Sequence, residues 1–219
     1  MNRVLNAVKL DFYAVRPSLR TSAFMFVAAI AIGAVTSQPI ITLALVMVFG
    51  VFTGSMVFST HEKNHSEKLY GILPLRKSEM IAGRYLYALA IGAAHLVIAA
   101  AFAMAIAKVR DVTLDWTSFW IALGLSFLYY CFATGVSYPI YFKFTYAKAY
   151  VFTMLPMYLI VLFTMLILRR KNTLNELSLF LKFFANKSYL APILGVLGGL
   201  ALLAFSALAA NLIYKRKEI

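Results

Sequence analysis

Residues 21–60 read TSAFMFVAAIAIGAVTSQPIITLALVMVFGVFTGSMVFST and contain no Asp, Glu, Lys or Arg. A single helix of that length would be about 60 Å long, twice the hydrocarbon thickness of a bilayer. The stretch therefore predicts two membrane-crossing helices in a tight hairpin. Thr36-Ser37-Gln38-Pro39 supplies the break. Pro39 lacks an N–H donor and steers Gln38 away from helical angles. The expected spans are 21–36 and 40–59.

Composition extends this reading to the whole chain. Of 219 residues, 63% are hydrophobic and 13% charged, far from the roughly even apolar share and about 25% charge of a soluble domain. Water could not solvate so apolar a surface, whereas lipid can. The predicted class is an all-α polytopic membrane protein forming one transmembrane domain. Lys and Arg total 21 against 8 acidic residues, a net charge of +13. In a membrane protein this excess points to loops facing anionic headgroups. No interleaved basic and aromatic surface supports nucleic acid as a partner. Cys131 is the only cysteine, so an intrachain disulfide and a cysteine metal cluster are excluded. The charged first twenty residues do not resemble a cleavable signal peptide.

Four further spans follow at 85–107, 117–141, 149–168 and 190–214, making six. Residues 1–20 are too polar to cross. Val4, Leu5, Val8, Phe12 and Val15 share one helical arc there, predicting an amphipathic helix in the membrane interface. A second interfacial helix is expected at 174–185, where Thr173 and Glu176 have capping-box spacing ahead of Leu174, Leu177, Phe180, Leu181 and Phe184. Trp116 and Trp120 would mark one membrane surface and Tyr138, Tyr141 and Tyr146 the other. With the N-terminus inside, inward segments carry fourteen of the Lys and Arg residues and outward segments seven. Both termini are thus expected on the cytoplasmic side of the membrane.

The loop at 60–84 is the longest polar passage between spans. Asn64 and Glu67 have capping-box spacing, Lys68, Leu69 and Tyr70 continue a helix, Gly71 loosens it, and Pro74 ends it beyond Leu73. Ser78 is expected to cap a new helix into the third span, with Glu79 in its first turn. A short helix bounded in this way can pass a push from a soluble partner to the spans on either side. A plain re-entry turn would use the same residues.

Catalytic groups are scarce. No Walker-type glycine loop is present, so no nucleotide or cofactor is expected on this chain. His61 and His65 are four apart, which suits a metal in principle, but no third ligand is evident; solvated loop histidines account for both. His95 lies within the third span, where an ionisable side chain marks a functional site unless it is neutral and hydrogen-bonded between helices. Gly50 and Gly54, with Ser55 and Ser59, have the small-residue spacing of a close helix contact. Phe127, Tyr129, Tyr130, Phe152, Met154, Met157 and Tyr158 form an adaptable aromatic and Met set that could line a path for amphipathic cargo. Ordinary packing or lipid contact explains them equally.

The hairpin, the acidic and basic loop helix and LPLRKSEMIAGRYL at residues 73–86 together resemble the permease subunit of a type-2 ABC exporter. In overall size the chain resembles the permeases of the phenol-soluble modulin exporter, which expel amphipathic toxin peptides. The resemblance implies two permeases working with two separate ATPases, which bind ATP and Mg. It implies a coupling helix at 64–73, including Asn64, Ser66, Glu67, Lys68, Leu69, Tyr70, Gly71 and Leu73. It also implies an N-terminal connecting helix carrying Val4, Leu5, Val8 and Phe12, and a homodimer contact through spans one and five. Two other classes fit the composition. One is a membrane-embedded hydrolase or lipid transferase using His95 or the His61 and His65 pair. The other is a non-catalytic immunity or assembly protein.

Overall fold

The computed structural model describes residues 3–36, 39–64, 76–155, 158 and 190–215. All elements among them are helical. We number them α1 (Arg3–Val15), α2 (Leu19–Thr36), α3 (Pro39–Lys63), α4 (Lys77–Val109), α5 (Trp116–Lys143), α6 (Tyr146–Thr153) and α7 (Leu190–Lys215). A 3₁₀ turn, Arg16–Ser18, joins α1 to α2. Four helices are long and apolar enough to cross a membrane, and a fifth is added if Arg3–Ser18 and Ala23–Thr36 act as one bent span. Most of the span expected at 149–168 and all of the outer helix expected at 174–185 lie outside the described residues.

The helix ends follow local chemistry. Pro39 opens α3, where its missing N–H costs nothing because a first-turn donor has no partner within the helix. The third-span helix starts at Lys77, one residue before the expected cap. Arg76 is the N-cap, and its backbone N–H donates to the Glu79 carboxylate at 2.8 Å. Ser78 therefore lies inside the first turn rather than capping it. With 33 residues, α4 is about 50 Å long and must project well beyond the hydrocarbon. Asp115 caps α5 by accepting from the Thr117 and Ser118 amides and the Ser118 hydroxyl. The Ser118 hydroxyl and those amides hold its carboxyl below the usual range.

One end of the bundle gathers α1, the C-terminal ends of α3, α5 and α7, and the N-terminal ends of α4 and α6. Phe142 of α5 meets Tyr214 of α7 at 5.6 Å, and Lys77 of α4 lies over the same Tyr214 ring. Among the described residues this end carries eleven Lys and Arg residues and the opposite end two, Lys108 and Arg110.

Two apolar cores lie between the helices. The larger joins α3, α4, α5 and α7 through Met47, Phe58, Tyr85, Ile91, Phe127, Tyr138 and Leu203. A smaller one near the other end joins α2 to α5 through Ala29, Leu43, Val46, Ala99, Ala103 and Phe119. The most extensive packing is α5 against α7. Gly195 permits it, because a Cβ there would stand 2.5 Å from the Gly124 carbonyl oxygen.

Tyrosine hydroxyls cross between these helices. Tyr130 donates to the Ala88 carbonyl at 2.6 Å and Tyr138 to the Gly54 carbonyl at 2.9 Å. Ser206 gives its one proton to the Gly135 carbonyl, so Tyr85 must donate to Ser206 Oγ, at 2.6 Å. Tyr138 and Tyr141 are buried within the bundle. This corrects their expected place in an aromatic belt at that end, since Tyr138 is bonded to the Gly54 carbonyl and Tyr141 shares a hydrogen bond with the Thr153 hydroxyl. Trp116 and Trp120 are exposed at the opposite end, as a belt requires.

Adding a Cβ at Gly195 must push two backbones apart, whereas at Gly198 the nearest atom is Leu128 Cδ1 at 3.5 Å. Gly195→Ala is expected to cost about 1–3 kcal/mol and Gly198→Ala little. Thermal unfolding of the two purified variants in one detergent checks the difference.

Candidate functional site

The polar side chains of the basic end converge on α1. Its buried line is Ala7, Asp11 and Val15, spaced four residues apart on one helical face. Ala7 fits against Gly83 of α4, where a Cβ would come within 2.7 Å of the Ala7 methyl. Asp11 is 1% exposed and accepts a hydrogen bond from His61 Nε2 of α3 at 2.9 Å. The Phe12 ring meets Tyr87 of α4 edge to face at 4.9 Å. α1 therefore grips α3 and α4 together, and these are the two helices that flank residues 65–75.

The expected connecting face of α1 is only half engaged. Val4 and Val8 are partly buried, while Leu5 and Phe12 remain more than 40% exposed. The contact face is turned toward Ala7 and Asp11, leaving the rest of the apolar stripe for lipid. His61 corrects the expectation of a solvated loop histidine. α3 continues to Lys63, so His61 sits in its last turn, 6% exposed. His65 lies outside the described residues. Among those described, no group of three or more His, Cys, Asp or Glu residues is placed to hold a metal ion.

The last turn of α3 also reaches α6. The Glu62 carboxylate accepts from the Tyr146 backbone N–H at the start of that helix, where a negative group is favoured. The Tyr146 ring stacks on Tyr141 of α5 at 5.1 Å, and Tyr141 stacks on Phe58 of α3 at 4.9 Å. Arg84 of α4 places its guanidinium 4.7 Å from the Phe58 centroid and 5.4 Å from that of Phe142. Such cation–π contacts add up to about 2 kcal/mol each where water is excluded.

Of the residues expected to form the coupling helix, Asn64 is described, and its amide closes the last turn of α3 on the Thr60 carbonyl at 3.0 Å. Ser66, Glu67, Lys68, Leu69, Tyr70, Gly71 and Leu73 lie outside the described residues. His95 is buried in α4, its Nδ1–H donating to the Ile91 carbonyl at 2.8 Å. Its ring faces Phe26 of α2 at 4.9 Å and packs at Gly50 of α3. Among the described residues its Nε2 has no hydrogen-bond partner. The described members of the aromatic and Met set lie in two regions. Phe127 and Tyr130 stack in the core, whereas Phe152 and Tyr158 are exposed on the α6 side. Met154 follows α6 half-buried, and Met157 lies outside the described residues.

Residues 6–215 match the family of ABC-2 family transporter proteins. The chain belongs to that family. It is thus a transporter permease, a subunit of the transport-type membrane class. No curated protein and no solved structure matches the chain.

The sequence pattern of the permease identified α1 but not the residues that fasten it. Asp11, Glu62, Gly83 and Arg84 were the omissions. The available signal was Asp11 itself, the sole acid in a basic helix and in phase with Ala7 and Val15. Removing Asp11 or His61 is expected to release α1 from α3. Asp11→Ala should accelerate tryptic cleavage at Lys9 and Arg20 of the purified permease. The double variant Asp11→Ala with His61→Ala should be cleaved no faster than either single variant, as expected of partners in one contact.

Proposed function

We propose that the chain is the membrane half of an exporter driven by a separate ABC ATPase, and that it moves amphipathic peptides of toxin or antimicrobial type, or other hydrophobic cargo, by alternating access. Family membership supports the transporter class and, in general, an ABC ATPase partner. The observation that carries the mechanism is the grip of α1 on both helices flanking residues 65–75. In this reading two copies of the permease join two ATPases in a bacterial plasma membrane, with both termini cytoplasmic. The ATPases hold ATP and Mg and push on residues 64–73. Asp11–His61 and Ala7–Gly83 make α1, α3 and α4 respond as one body. The α4 portion beyond the hydrocarbon then acts as a lever on the span behind it. Arg84, wedged between Phe58 and Phe142, extends that body to α5.

Replacing residues 64–73 by a Gly-Ser linker should abolish permease-dependent stimulation of the co-expressed ATPase. Unchanged stimulation and unchanged co-purification would refute the coupling assignment. Gly83→Leu, which drives a side chain into Ala7, should leave the ATPase bound but reduce ATP-driven uptake into inverted vesicles by roughly tenfold, the scale of about 1.4 kcal/mol of lost linkage. Peptide uptake measured in the same vesicles tests the cargo class.

A further inference from the structure

The last turn of α3 and the first turns of α6 enclose an open cleft of about 630 Å³ lined by Ser59, Glu62, Lys63, Tyr146, Ala147 and Tyr150. The Glu62 carboxylate is occupied by the Tyr146 amide. Lys63 is exposed and forms no ion pair among the described residues. Lys143 and Lys148, also exposed, lie within three residues of the lining positions Tyr146 and Ala147 in the chain. The lining itself pairs Lys63 with one carboxylate, at an end of the bundle that is basic as a whole, with hydroxyls on Ser59 and Tyr150 and aromatic rings in its wall. Past the cleft, Ala147 and Val151 of α6, and Met154 and Tyr158 beyond its end, recur at helical spacing in the sequence. Val151 and Tyr158 are 69% and 65% exposed. A lysine- and hydroxyl-bearing cleft thus opens onto an apolar stripe at the basic end of a membrane-spanning bundle.

We propose that this cleft is a binding site for an anionic phospholipid of the leaflet at the basic end. Its phosphate would be held by Lys63 with the Ser59 and Tyr150 hydroxyls, and its acyl chain would lie along the α6 stripe. The match is both electrostatic and geometric. Basic pockets between transmembrane helices on the inner side select anionic headgroups, and tyrosine rings at that depth keep one edge wet and one apolar. A bound lipid would bridge α3 and α6 beside the Glu62 contact and so brace the last turn of α3. The proposal rests on reading the basic end as the inner one.

The test uses the full-length permease in detergent without its ATPase, so its failure is separable from failure of the coupling assignment. Native mass spectrometry with added phosphatidylglycerol should show one retained lipid per chain, and thermal unfolding should shift upward. Phosphatidylcholine and inorganic phosphate at the same concentrations should do neither. Lys63→Ala should weaken phosphatidylglycerol binding about fivefold and Lys63→Glu about 25-fold. Lys108→Ala, at the opposite end, should leave binding unchanged. Equal retention of phosphatidylcholine, stabilisation by inorganic phosphate alone, or undiminished binding by folded Lys63→Glu would each overturn the proposal. Tyr150→Phe, which keeps the ring and removes the hydroxyl, provides a variant that preserves packing. It should weaken phosphatidylglycerol binding, and unaltered affinity would exclude the hydroxyl from the site.

Discussion

Inside a bilayer a hydroxyl has no water to turn to, and this protein resolves that constraint by directing tyrosines at neighbouring helices. Tyr130 bonds the backbone of α4, Tyr138 that of α3, and Tyr85 reaches α5 by way of Ser206 on α7. Each bond spans two helices, so satisfying a side chain and fixing an interhelical distance become the same event. Hydrocarbon contacts between helices are little better than contacts with lipid, so such polar bonds carry the specificity. They are worth only about 0.6 kcal/mol on average, which holds a bundle in register without freezing it. The close approach of α5 and α7 at Gly124 and Gly195 supplies the packing that these bonds align.

At the basic end the chemistry changes from neutral hydroxyls to charged groups. Asp11 and His61 face each other with almost no exposure, and Arg84 lies between aromatic rings. Breaking a buried charged contact generally costs more than it contributes when formed, because the surviving partner stays desolvated. That asymmetry favours motion of α1, α3 and α4 as a unit over separation of any one of them. A transporter needs this kind of stiffness where force enters and the gentler register of the tyrosine bonds where the helices must re-pack.

The membrane class, the all-helical build and the long apolar helices were legible because each depends on a run of similar residues or a simple period. The contact face of α1 was not. Its strongest anchor is Asp11, and a lone carboxylate on a basic helix looks solvated until a histidine fifty residues later is placed beside it. His61 was misread for the same reason, since the hydropathy of the span falls before the helix ends at Lys63. Tyr138 and Tyr141 looked like interface residues because composition shows an aromatic and not where its hydroxyl points. Gly50 and Gly54 were legible as small-residue spacing, and the structure sets His95 against the first and the Tyr130 and Tyr138 hydroxyls against the second. The glycine contacts that fit α7 to α5 went unread because they need both helices in view.

His61 and Glu62 are neighbours in the chain, and consecutive helical residues project about 100° apart. One turn of α3 thereby holds α1 on one side through His61 and the N-terminus of α6 on the other through Glu62. The two bonds cannot be adjusted separately, because they share a single rigid backbone segment. Twisting that segment draws one partner in as it lets the other out, like the two arms of a balance. Sequence changes that lengthen or shorten α3 by one residue would turn both side chains about 100° round the axis and break both contacts at once, so the length of this helix is constrained from its far end as strictly as its composition is by the membrane.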